Sequence, residues 1–280
     1  MSGDIRRDRH LGTVVHIVGG RQNRPNRPSS DCPFCVGGLE APAPYDVLAF
    51  PNRWPALGEG KCEVVLYTPE HNSSIPLLGA TQVRKVIDLW AERTDALRKV
   101  PDVDFVLVFE NRGESVGATI DHPHSQIYAF DHVPQRQSAS WRDGWTPDIE
   151  PGDRLVAQHG SWTAWVHHAP VHPVSLVLAP VERRPDLASL EDPSRDDLAQ
   201  LLVDILGRCD SLFGVAMPYM MWFNQAPTSD PSAWLHAEIV SPWRATGVHR
   251  YIAAAEVSTG EYFNPVAPEE LADRLNALQT

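Results

Sequence analysis

At 280 residues, 42% of them hydrophobic and 21% charged, the chain has ordinary globular composition and room for one large core or two modest ones. Its formal net charge of -12, from 24 Lys and Arg against 36 Asp and Glu, repels a phosphodiester backbone and argues against nucleic acid as a partner. A phosphorylated small molecule stays open wherever a few arginines converge. No apolar leader opens residues 1–10 and no stretch reaches the length of a membrane span, so the expectation is a cytoplasmic protein with no membrane association.

Taken in chain order, residues 18–44 are rich in Gly, Pro, Asn and Arg and read as a loop that encloses Cys32 and Cys35. Residues 45–50 and 62–67 read as strands. Across residues 81–99 the apolar positions Val83, Val86, Ile87, Leu89, Trp90 and Leu97 follow helical spacing. Residues 105–109 are an unbroken apolar run, which marks a buried strand. A glycine-bearing loop over 111–121 leads to His122-Pro123-His124-Ser125-Gln126 and a short strand to residue 130, and the polar stretch 131–150 reads as a connector. The order then recurs: strands at 162–166 and 174–179, a helix at 195–213, a strand at 219–223, a loop, and a strand at 234–240 that holds His236. This repetition predicts one continuous α+β body built from two similar halves, residues 1–150 and 151–280.

Two constellations carry chemistry. Cys32 and Cys35 present thiolates at a spacing that suits zinc, on a proline-bearing turn, but a lone pair lacks two ligands. His71, just past a strand, and His122 are the candidates for the other two. A redox dithiol is the alternative, although such a pair should open a helix after a strand, and here it lies in a Pro-rich loop. Cys62 and Cys209 read as buried structural thiols. In the second constellation, strand alternation puts His122, His124 and Gln126 on one face. Three polar groups beside an apolar strand are costly unless they hold a metal, a ligand or one another. A neutral imidazole is a competent nucleophile near neutral pH, and a glutamine amide donates to a phosphate oxygen without supplying a proton for hydrolysis. Phosphoryl or nucleotidyl transfer fits both.

Phe109-Glu110-Asn111-Arg112-Gly113, then Gly117, then His122-Pro123-His124-Ser125-Gln126-Ile127-Tyr128 resembles the active-site stretch of the galactose-1-phosphate uridylyltransferase family, within the histidine-triad superfamily. Glutamine where histidine-triad hydrolases keep a third histidine marks the transferase branch. The resemblance implies duplicated histidine-triad-like halves with a mostly antiparallel sheet and flanking helices. It implies that His124 attacks a UDP-sugar and forms a covalent uridylyl-histidine, and that a second hexose 1-phosphate then takes up the uridylyl group. Gln126, with Thr119 and Arg21, would hold the phosphoryl oxygens, and Phe50, Asn52, Phe109 and Asn111 would contact the nucleoside. Asn52 also reads as a turn residue, and the two phenylalanines as core.

Cys32, Cys35, His71 and His122 match the family's ligands for one structural zinc. A second metal site common in the family is expected to be absent, because Asn224 and Glu238 replace histidines there and only His236 remains. Arg250, Tyr251 and Glu256 fall in the segment of hexose contacts, with Arg250 expected to anchor a phosphate. Setting His236, Glu238 and Val240 against His122, His124 and Gln126 predicts a second half without chemistry of its own. The implied partners are a UDP-sugar, a hexose 1-phosphate and a second copy of the chain in a homodimer. An ADP- or GDP-linked or unusual sugar is the alternative cargo. A non-enzymatic zinc-loop binding protein is disfavoured by the presence of both His124 and Gln126.

Overall fold

The computed structural model describes residues 4–19, 32–148 and 150–278. After a small hairpin of β1 (Asp4–Arg7) and β2 (Val14–Ile17), the chain forms β3 (Leu48–Pro51), β4 (Cys62–Leu66), α1 (Ile75–Arg98), β5 (Phe105–Arg112) and β6 (His124–Phe130). Helix α2 (Gln135–Arg142) leads to β7 (Leu155–His159), β8 (Trp162–Val166), β9 (Val174–Pro180), α3 (Asp192–Phe213), β10 (Tyr219–Asn224) and β11 (His236–Ser241). A hairpin of β12 (Trp243–Ala245) and β13 (Val248–His249) precedes α4 (Ala254–Thr259) and α5 (Pro268–Asn276).

Strands β3 to β11 make one antiparallel sheet of nine strands, ordered β3-β4-β6-β5-β10-β11-β9-β8-β7. Outward from the β5–β10 seam the order is β5-β6-β4-β3 on one side and β10-β11-β9-β8 on the other. The mixed fold with a large antiparallel sheet and flanking helices is the one the sequence predicts. Its two faces differ because side chains alternate along each strand. Val65, Val106, Val108, Ile127, Leu176, Leu178 and Ile239 are buried in the main core with α1 and α3, which supply Val83, Ile87, Trp90, Leu198, Leu202 and Ile205. The other face carries Gln126, Phe109, Trp222 and Glu238 side by side across four strands. Among the described residues no helix is long and apolar enough to cross a membrane.

Differences from the predicted elements have local causes. Helix α1 starts at Ile75 rather than near residue 81 because it is kinked at Gly79, whose φ of 72° leaves the helical region, and the apolar periodicity begins only after the kink. The connector at 131–150 contains α2, too polar to announce itself by an apolar stripe. Strand β6 begins at His124, so His122 stands outside the strand and the one-face argument holds for His124 and Gln126 alone. Their burial pattern confirms the alternation: Ser125, Ile127 and Ala129 are buried, and His124, Gln126 and Tyr128 half-buried. Trp90 Nε1 donates to Ser125 Oγ at 2.8 Å and so pins the strand from the helix side.

Candidate active site and metal centre

Cys32 and Cys35 sit on a tight knuckle in which Cys35 N–H donates to the Cys32 carbonyl at 3.3 Å and Gly38 N–H to the Cys35 carbonyl at 2.8 Å. Only glycine fits at position 38, since a Cβ there would lie 2.6–2.8 Å from three carbonyl oxygens of the knuckle. His71 follows β4, and His122 immediately precedes β6. The four donor atoms all lie within 4.8 Å of one another. Cys35 Sγ is 3.5 Å from His71 Nδ1 and 3.7 Å from His122 Nδ1. Sulfur and nitrogen ligands about 2.0–2.3 Å from one ion stand roughly 3.3–3.8 Å apart along a tetrahedron's edges, so this donor set fits a four-coordinate metal. His122 Nε2–H donates to the Thr68 carbonyl at 2.8 Å, which leaves Nδ1 unprotonated toward the cluster. Burial also pulls the His122 pKa below the usual histidine range and favours the neutral ligand.

The same His122 reaches the second constellation through its backbone. His124 Nδ1–H donates to the His122 carbonyl at 2.7 Å, which fixes the tautomer with an unprotonated, nucleophilic Nε2. The Phe34 ring, from the knuckle, packs edge-on against the His124 ring at 5.1 Å. His124 opens onto a cavity of about 730 Å³ together with His71, Asn111, Gly113, Trp243 and His249. Gln126 accepts from Asn52 Nδ2 at 3.1 Å and from the Tyr128 hydroxyl at 3.4 Å, so its amide nitrogen is turned away from both.

The predicted nucleoside and phosphoryl contacts are placed unevenly. Asn111 lines the cavity, and Thr119 lies between two lining residues, Ala118 and Ile120. Asn52 takes the turn position read for it: its Oδ1 accepts from Trp54 N–H at 2.8 Å, while its amide donates to Gln126. Phe50 packs on Phe34 at 5.9 Å, and Phe109, opposite Gln126 in the register, meets the Tyr128 ring at 4.9 Å. Arg21 lies outside the described residues. Arg250 stands outside the lining of this cavity. It is buried and paired with Glu256, whose Oε2 accepts from Ala253 N–H and Oε1 from Phe263 N–H, so within this chain it ties the C-terminal segment together rather than facing the cavity. Tyr251 beside it is 78% exposed.

The second half also corrects a pairing. His236 opens β11 as His124 opens β6, and its Nδ1–H donates to the carbonyl two residues back, Trp234, at 2.9 Å. Glu238 stands opposite Trp222 as Gln126 stands opposite Phe109. The counterpart of His124 is therefore His236, and that of Gln126 is Glu238. The alignment of His236 with His122 and of Val240 with Gln126 is two residues out of register. A two-residue slip leaves every side chain on its predicted face, so alternation alone cannot detect it.

Connector residues that carried no signal in the sequence close this half. The Trp145 indole stacks on the His236 imidazole at 3.6 Å, and burial lowers the His236 pKa to about 4. Arg136 donates to Glu238 at 2.6 Å, and Trp222 Nε1 and Asn224 Nδ2 donate to its other oxygen at 3.2 and 3.0 Å. A cavity of about 280 Å³ remains beside Trp141, Trp145 and His236.

A continuous antiparallel sheet backed by paired helices, with a histidine at the start of a strand, is the histidine-triad-like architecture of the solved uridylyltransferases. The chain belongs to the galactose-1-phosphate uridyl transferase family: residues 53–134 match that family's N-terminal domain and residues 122–280 its C-terminal domain. It is 32% identical to the galactose-1-phosphate uridylyltransferase of Thermotoga maritima, over 93% of this chain and 94% of that one. To the enzyme of the same name from Streptomyces lividans it is 32% identical, over 98% of this chain and 86% of that one. A solved uridylyltransferase structure superposes with a TM-score of 0.88 at 28% identity, covering 98% of this chain and 97% of that one. An ADP-glucose phosphorylase from Arabidopsis thaliana, at 20% identity, shares the fold with a TM-score of 0.78, over 98% of this chain and 99% of that one.

Proposed function

We propose that the chain exchanges a uridylyl group between UDP-glucose and galactose 1-phosphate, with His124 as its covalent carrier. The observation that carries this is the His124 tautomer, set by its Nδ1–H bond to the His122 carbonyl. Nε2 attacks the α-phosphorus of the UDP-sugar, a P–N bond forms, and the bond to the bridging oxygen breaks. Glucose 1-phosphate leaves as a phosphate monoester and needs no proton. The positive charge gained by the imidazole is stabilised by the His122 carbonyl at Nδ1. A phosphate oxygen of galactose 1-phosphate then attacks the same phosphorus, and Nε2 departs with its electron pair. The Gln126 amide donates to the phosphoryl oxygens as charge builds on them.

In this reading Thr119 and Arg21 assist at the phosphoryl group, and Phe50, Asn52, Phe109 and Asn111 surround the nucleoside. Cys32, Cys35, His71 and His122 hold one zinc ion, whose part is structural: it fixes the His122 backbone on which the nucleophile depends. We read one metal per chain, since the Glu238 carboxylate is bound by Arg136 and the His236 ring is covered by Trp145. Tyr251, with Arg250 and Glu256, meets the hexose of a partner subunit in a cytoplasmic homodimer of two-half chains divided near residue 150.

Intact-mass measurement after mixing with UDP-glucose tests the reading. One uridylyl group should be added, stable to base and labile to acid, and His124→Gly should abolish it in a folded protein. An adduct that persists in that variant places the nucleophile elsewhere. Stronger labelling from ADP- or GDP-glucose overturns the choice of nucleotide.

A further inference from the structure

The metal ligands come from three segments far apart in sequence, and one hydroxyl touches all three. Tyr45, in the loop before β3, has its oxygen 2.7 Å from the Phe34 carbonyl, 3.0 Å from the Thr68 carbonyl and 3.0 Å from His122 Nε2. Phe34 lies between the two cysteines, and Thr68 is three residues before His71. Proton counting settles who donates. A phenol has one hydrogen, and the shortest contact assigns it to the Phe34 carbonyl. The His122 Nε2–H is then shared between the Thr68 carbonyl at 2.8 Å and the Tyr45 oxygen, both acceptors.

Among the described residues, the knuckle is held chiefly by apolar contacts. It belongs to a small apolar cluster of Phe34, Ala41, Val64 and Leu66, with Phe50 and Tyr45 at its edge, apart from the main core under α1 and α3. Among the described residues, the Tyr45 hydroxyl adds polar contacts from the cysteine segment to His122 that a cluster of that size does not supply. Any shift of the knuckle also reaches His124 through the Phe34 ring.

We propose that Tyr45 is a positioning residue whose hydroxyl clamps the Cys32–Cys35 knuckle to the His122 ring and holds that ring in its Nδ1-ligating tautomer. The proposal rests on the reading that these four residues bind zinc. Partners of this kind are worth roughly 10–100-fold in metal affinity.

Tyr45→Phe keeps the aromatic ring and its packing and removes only the oxygen. Zinc release from the loaded protein to a chromogenic chelator should be 10–100-fold faster in the variant, consistent with that range of affinity. The melting temperature should fall for the zinc-loaded protein and stay within error for the zinc-stripped one. In a cobalt-substituted protein the ligand-field bands should shift. Equal release rates overturn the role of Tyr45 and leave the zinc reading standing. Equal losses of melting temperature with and without metal also overturn it, since they indicate packing alone. A wild-type protein that holds no zinc overturns the metal reading itself, and the inference with it.

Discussion

Glu110 projects from β5 toward the helix side of the sheet, where burial raises its pKa to about 7 although Tyr67 and Tyr219 donate to it at 2.8 and 2.7 Å and Arg112 attracts its charge. An acid whose folded pKa lies above its unfolded value favours the protonated form in the fold. Its contribution is therefore neutral below about pH 4.5 and turns unfavourable as pH rises to about 7, where the cost is complete. His236 has the opposite sign. Its folded pKa of about 4 lies below the free value of 6.5, so its burial is costly in acid and the cost disappears as pH rises through that window. The two trends offset each other in the wild type, and a variant has to separate them. Glu110→Gln should gain stability relative to wild type as pH rises from 4.5 to 7, on the order of 3 kcal/mol at about 1.4 kcal/mol per pH unit. Urea denaturation of both proteins at pH 5 and pH 8 checks this, and a constant difference between them excludes the shifted carboxyl.

Between β5 and β6 the chain must turn beside His124 without blocking the cavity. Gly113 makes that possible with a φ of 91°, and its missing Cβ is what lets Pro218, just before β10, approach. A Cβ at position 113 would meet the Pro218 Cβ at 2.8 Å. Gly113→Ala should thus cost stability on two counts, backbone strain of about 1 kcal/mol or more and a displaced seam. Thermal melts should show the loss, and UDP-glucose labelling should slow because Asn111 and Gly113 both line the cavity. A variant as stable and as fast as wild type removes the turn from the site.

Across the molecule, the β5–β10 seam joins the halves through a bidentate Arg112–Asp210 pair at 3.0 and 2.9 Å and through Glu110, which bonds one tyrosine from each side. The C-terminal segment leaves Tyr251 at 78%, Val257 at 73% and Phe263 at 69% exposure, apolar surface that a homodimer would cover. Light scattering should give a mass near twice that of the chain, and Val257→Ser with Phe263→Ser should reduce it to one. A wild-type monomer rejects the dimer and the hexose contacts assigned across it.

By itself the sequence determined the elements whose signals are short-range: the apolar run of β5, the periodicity of α1, the C-x-x-C spacing, and the His-Pro-His-Ser-Gln segment. Each depends on residues a few positions apart, where period and spacing translate directly into which face a side chain occupies. Only the tertiary structure decided what depends on contacts between distant segments. It brought Cys32, Cys35, His71 and His122 within 4.8 Å, chose the His124 tautomer through a carbonyl, and set His236 rather than Glu238 as the counterpart of His124. It gave Tyr45, Arg136 and Trp145 work that no local pattern announces, and it took Arg250 into a buried pair with Glu256. The reason is physical. Strand register and side-chain pairing across a sheet are fixed by packing of the whole core, and a period of two in the sequence is unchanged when two strands slide by two residues.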